Sequence, residues 1–226
     1  MMRQPYYTLL ASLPPLPRFD RAERLPISRE RLQQRLRMLN SHDAEMLESA
    51  AAFLTWQKDA QRLTDSEMVA RFEKMVGSIS SAPLKTLLDF PLDQRTMMAA
   101  LRRRQQGLKR PSHKDPWGVG QYVEHIERNW DAPHFRLAKL YPWLPQAKLY
   151  LEDDSVLDLD RLLKNVLWGY LDGSVPDWDF GFRAVMAYRM KWDMVDQWLT
   201  HDATKAAERF NELVKEIIHE QPKLFH

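Results

Sequence analysis

Apolar residues recur along this chain at intervals of three and four, and proline or charge interrupts every run before it grows long. Ser28 precedes a stretch with Leu32, Leu36 and Leu39 on one face and Arg29, Arg31, Arg35 and Arg37 on the others. That spacing predicts an amphipathic helix with Ser28 as its N-cap. A second helix is expected from Ser41 to Asp43 onward, burying Met46, Ala50, Phe53 and Leu54. Thr64-Asp-Ser-Glu67 reads as a capping box that opens a helix carrying Met68, Phe72, Met75 and Val76. Between Pro83 and Arg104 two shorter helices are expected, divided at Phe90-Pro91, because the residue before a proline is pushed away from helical angles. Asp131-Ala-Pro-His134 reads as a helix start with proline in its first turn, and Tyr141 to Pro145 forces a turn or a short extended piece.

The last third is the most strongly patterned. Leu159, Leu162, Leu163, Val166, Leu167 and Tyr170 form one stripe, which Gly173 is placed to end as a left-handed cap. After "SVPDWDFG" a long helix sets Val185, Tyr188, Trp192, Val195 and Leu199 on one face, and a final helix sets Ala206, Phe210, Leu213, Val214 and Ile217. The fold class expected is all-α, a multi-helix array of short amphipathic helices. Gly107 to Gly120, "GLKRPSHKDPWGVG", is the best linker, dividing an N-terminal helical part (1–106) from a C-terminal one (121–226), unless the two are one continuous domain.

Composition sharpens this picture in two ways. The 226 residues contain no cysteine, which excludes a disulfide framework and thiolate metal sites and fits a reducing cytoplasm. A net charge of +2 is too mild to demand a polyanionic partner, so only local charge can argue for one. The opening "YYTLLASLPPLP" has the apolar look of a signal peptide. One arginine precedes it, however, and three prolines end it, so it reads as a retained part of the fold. Nothing else approaches the roughly 20 apolar residues of a membrane span, and a soluble chain is expected.

Candidate chemistry is sparse. No phosphate-binding loop is present, and Gly118-x-Gly120 lacks the glycine that would complete a dinucleotide fingerprint. Glu216-Ile-Ile-His219 has the Glu-x-x-His spacing of di-iron bundles, but its nearest second copy, Asp131-x-x-His134, is interrupted by proline; no metal or cofactor is expected. Glu152, Asp153, Asp154, Asp158 and Asp160 lack the spacing of a calcium loop and suit the start of a helix. No serine sits in a nucleophile elbow, and no catalytic residues are assigned.

The basic run Arg102, Arg103, Arg104, followed by Lys109 and Arg110, is the one candidate partner-binding site. Cations also complement a helix C-terminus, so a solvated helix end explains the same residues. Trp117 is the one nearby aromatic that could stack a base. Of the tryptophans in the last third, Trp168, Trp178, Trp192 and Trp198 suit a core, although an exposed one could anchor a partner.

Tyr6-Tyr7 with Leu9 to Pro14, then Leu25-Pro-Ile-Ser28 and Leu39 to Asp43, resembles the start of a bacterial family associated with vacuolar-type (A/V-type) ATPases. That family is itself similar to the C-type central-stalk component of those ATPases, called d in eukaryotes. The closing "AVMAYRMKWDMVDQWLTHD", Ala184 to Asp202, is similar in style to the family's last helices. The resemblance implies a helical funnel like that of the C-type component, here truncated, with no active site of its own. It also implies a cytoplasmic position at the membrane through protein partners, the central shaft and the membrane rotor ring, and a part in proton or other ion transport. A basic helical nucleic-acid-binding or adaptor protein is the alternative reading.

Overall fold

The computed structural model describes residues 6–54, 67, 69–70, 73–74, 77, 79, 82–111 and 116–220, with side chains at all of these except 51–54, 82–83 and 202–220. Among the described residues every regular element is helical. The α-helices are α1 (Tyr7–Ser12), α2 (Arg29–Leu36), α3 (Ser41–Leu54), α4 (Ala82–Gln105), α5 (Val123–Arg128), α6 (Leu144–Glu152), α7 (Val156–Ser174) and α8 (Phe182–Glu220). The fold is all-α as the periodicity predicts, but its elements are not uniformly short: α4 has 24 residues and α8 has 39. No described helix is both long and apolar enough to cross a membrane. Thr64 of the expected capping box and the apolar positions Met68, Phe72, Met75 and Val76 lie outside the described residues.

Two apolar clusters organise the molecule. The first gathers α1, α2, α3, the start of α4, the end of α7 and the first half of α8, around Leu9, Phe19, Leu32, Leu47, Leu88 and Trp192. The second gathers the end of α4, α5, α6 and the start of α7, around Met97, Ile126, Phe135, Leu137 and Leu144. Both α4 and α7 run through the two clusters, so they tie the halves of the chain together. Described residues of the expected linker are fastened to α4. Trp117 is buried, and the Val119 amide donates to Thr96 Oγ1 at 2.8 Å while Thr96 Oγ1 donates to the Val119 carbonyl at 2.5 Å. Asp93, also buried, accepts the Gln121 amide at 2.9 Å and Gln121 Nε2 at 2.8 Å.

Ser28 caps α2 as expected, accepting the Arg31 amide at 3.4 Å. Three expected boundaries are corrected. Pro91 does not divide α4, which passes through it. Phe90 stacks on Tyr170 with ring centroids 4.4 Å apart, and the Tyr170 hydroxyl donates to the Thr86 carbonyl at 2.5 Å. These packing contacts outweigh the local preference of a pre-proline residue.

Gly173 is not a left-handed cap. The helix continues to Ser174 and ends at Val175, which is extended because Pro176 follows. The two helices expected in the last segment are one, α8, since neither glycine nor proline interrupts residues 182–220. The side chains of Phe53, Leu54, Ala206, Phe210, Leu213, Val214 and Ile217 lie outside those described.

Candidate partner-binding surface

The basic run closes α4. The Gly107 amide donates to the Arg104 carbonyl at 3.0 Å and the Leu108 amide to the Arg103 carbonyl at 2.9 Å, with Gly107 at φ 70. This paired pattern is the Schellman motif, which needs a left-handed residue just past the helix end. The three arginines therefore sit in the last turn, where the exposed carbonyl ends of the helix favour positive charge.

The structure divides the five predicted residues. Arg102, Lys109 and Arg110 are exposed, whereas Arg103 and Arg104 are half-buried. Arg104 is spent on its own chain: Nη1 donates to the Ala132 carbonyl at 3.0 Å, and the guanidinium lies 5.3 Å from the centre of the Phe135 ring. Arg110 instead lines a cleft of about 390 Å³ with Pro111, Glu124, Glu127 and Arg128. Charges of both signs meet there, with Arg128 bonded to Glu124 at 3.1 Å.

What Arg104 holds was not legible in the sequence. The expected helix start at Asp131–His134 is a short turn in which His134, Phe135 and Arg136 have φ of 48, 55 and 60. Left-handed angles cost an L-residue about 1–2 kcal/mol each, so three in succession need strong support. Burial of Phe135 supplies some of it, and His125 Nε2 donates to the Phe135 carbonyl at 3.0 Å. Burial, aided by the positive charges of Lys148 and Arg104, holds the His134 imidazole below its ordinary value. The turn carries no glycine to announce it, and Pro133 pointed to a helix instead.

Other candidate residues have structural roles. Trp117 is buried, with Nε1 donating to Glu127 Oε1 at 2.8 Å, and so cannot offer its face to a base. In the acidic cluster Glu152 pairs with Lys148 at 2.7 Å and Asp160 with Lys164, while Asp154, at φ 53, closes α6 and Asp158 lies in the first turn of α7. Among the described residues no three His, Asp or Glu side chains converge as metal ligands; Glu216 and His219 fall outside the described side chains. Trp168 and Trp192 are buried, but Trp178 is 76% exposed, and two residues further along the chain the exposed Phe180 pairs with the exposed Tyr7, their ring centroids 4.7 Å apart.

Residues 48–221, well over half of the chain, match the family described as "Protein of unknown function (DUF2764)". The chain belongs to the DUF2764 family. No curated protein matches the sequence, and no solved structure matches it either. The DUF2764 match spans the basic end of α4, the left-handed turn and the exposed Trp178, but it begins after α1 and α2.

Proposed function

We propose that this DUF2764 protein is a non-catalytic central-stalk connector of a V-type ATPase, coupling the rotating shaft to the membrane rotor ring. It sits on the cytoplasmic face of the membrane through those partners and serves ion transport only as part of the complex. The complex is named by the resemblance of the two ends of the chain. The observation that carries the reading is that those distant stretches meet. The Tyr188 hydroxyl donates to the Pro14 carbonyl at 2.9 Å and Trp192 Nε1 donates to the Ile27 carbonyl at 2.9 Å, while within the opening stretch the Tyr6 hydroxyl donates to Asp43 at 2.5 Å. Leu9, Ile27, Leu39, Trp192 and Val195 share one apolar cluster around these bonds.

A torque-bearing part also needs stiffness. The 39 residues of α8 extend roughly 58 Å at 1.5 Å per residue. Its first half is tied to α2 by Arg29 and Asp196 at 2.5 Å and stiffened by the buried pair Arg189 and Asp193 at 2.9 Å. The exposed cations Arg102, Lys109 and Arg110 and the Tyr7, Phe180 and Trp178 surface are the places where partners would dock. The deciding experiment is affinity purification of the tagged protein from gently solubilised membranes of its native host. Catalytic and rotor components of a V-type ATPase are expected among the co-purifying chains. Recovery of nucleic acid, or of no ATPase component, would reject the reading.

A further inference from the structure

We propose that the cleft between α1 and α2 is a second, separate binding site, which takes an Asp/Glu-rich segment of a partner protein through Arg31 and Arg35. The cleft encloses about 290 Å³ and is lined by these two arginines with Gln34, Pro14, Pro26 and Ile27 among its walls. Arg31 and Arg35 are exposed and one helical turn apart, so their like charges repel. Neither forms an ion pair with any described residue. Glu30, the one carboxylate within α2, is engaged at the helix start with the Ser28 hydroxyl.

Position within the helix makes the arrangement more unfavourable. Arg35 lies in the last turn, where a cation is favoured, but Arg31 is three residues past the N-cap, where the helix dipole opposes positive charge. Among the described residues neither guanidinium has an anionic partner, and an anion supplied from outside would relieve the repulsion between them. The cleft is also held in shape. Its Ile27 wall is fixed by the bond from Trp192, its Pro14 wall by the bond from Tyr188, and α2 by the Ser28 cap. Such a preformed site loses little entropy on binding.

The walls decide the class of anion. Guanidinium forks match carboxylates and phosphates alike, but none of the described residues lining this cleft is aromatic and able to stack a base, and its apolar walls are proline and isoleucine. An extended acidic peptide suits an open groove of that kind. The assignment does not depend on the stalk reading.

The test uses the full chain and a short fluorescein-labelled Asp/Glu peptide, followed by fluorescence anisotropy, with a single-stranded oligonucleotide of equal charge as competitor. The variant R31Q/R35Q should weaken peptide binding about tenfold or more, the equivalent of losing one charge-assisted bond. R31K/R35K, which keeps the charge but loses the fork, should weaken it less, and R24Q/R37Q, which removes equal charge outside the cleft, should change it by less than about threefold. Circular dichroism of each variant reports whether the fold is retained. Equal loss in R31Q/R35Q and R24Q/R37Q, no peptide binding by the wild-type chain, or tighter binding of the oligonucleotide than of the peptide would each overturn the proposal.

Discussion

Gly120 offers the sharpest test of how the middle of the chain is fastened to α4. It has φ 91, and a Cβ built there would lie 2.4 Å from Asp93 Oδ1, the atom that accepts the Gln121 amide. Replacing Gly120 by alanine imposes two costs. Left-handed backbone in an L-residue costs roughly 1–2 kcal/mol. Moving the Asp93 carboxylate forfeits a hydrogen bond to a charged acceptor, about 1.5–3 kcal/mol. Gly120→Ala should therefore lose roughly 2.5–5 kcal/mol in urea denaturation.

Gly107→Ala is the matched control. It is also left-handed, at φ 70, but meets nothing within 4 Å, so only the backbone cost of roughly 1–2 kcal/mol applies. The excess of Gly120→Ala over Gly107→Ala should disappear in an Asp93→Ala background, where the obstructing oxygen is gone. An excess that persists in that background, or a Gly120→Ala variant no less stable than Gly107→Ala, would refute the role given to Asp93.

Three further outcomes are expected. Burial, offset in part by the bonds from Gln121, raises the Asp93 carboxyl above its ordinary value, so the folded state holds that proton more tightly than the unfolded chain does. The stability it contributes is fully present below the unfolded value of about 3.9 and is lost as pH rises through the raised folded value. Wild type should accordingly lose stability relative to Asp93→Asn across that window, and urea midpoints measured against pH that show the opposite slope would contradict the assignment. Trp192→Phe strands the buried Ile27 carbonyl and leaves a void, at about 2–4 kcal/mol, visible as a lowered thermal midpoint. Trp178→Ala should leave stability within about 0.5 kcal/mol yet reduce recovery of partners in the affinity purification, whereas unchanged recovery would remove Trp178 from the docking surface.

Local patterns that depend on neighbours in the chain were legible in the sequence. Helical class followed from apolar spacing, and the α2 start followed from a serine whose hydroxyl reaches an amide three residues on. Long-range packing overrode local preference elsewhere. Pro91 remains inside a helix because Tyr141 and Tyr170 pack around Phe90 beside it, and Gly173 stays helical because the stop lies two residues later, at Val175 before Pro176.

The candidate sites divide in the same way. The basic run was legible because charge is a property of the sequence, but which of its arginines face outward was not. Arg104 is committed by a carbonyl 28 residues away, in a left-handed turn that no glycine announces. Arg31 and Arg35 were visible as polar positions of an amphipathic helix, yet their cleft exists only because the proline-rich exit of α1 is folded against α2. The helices and the places where charge concentrates are written into the order of residues, since both depend on positions within a few turns of one another. Which charges are consumed internally and which are left exposed is a property of the folded chain, because it rests on contacts between residues far apart in the sequence.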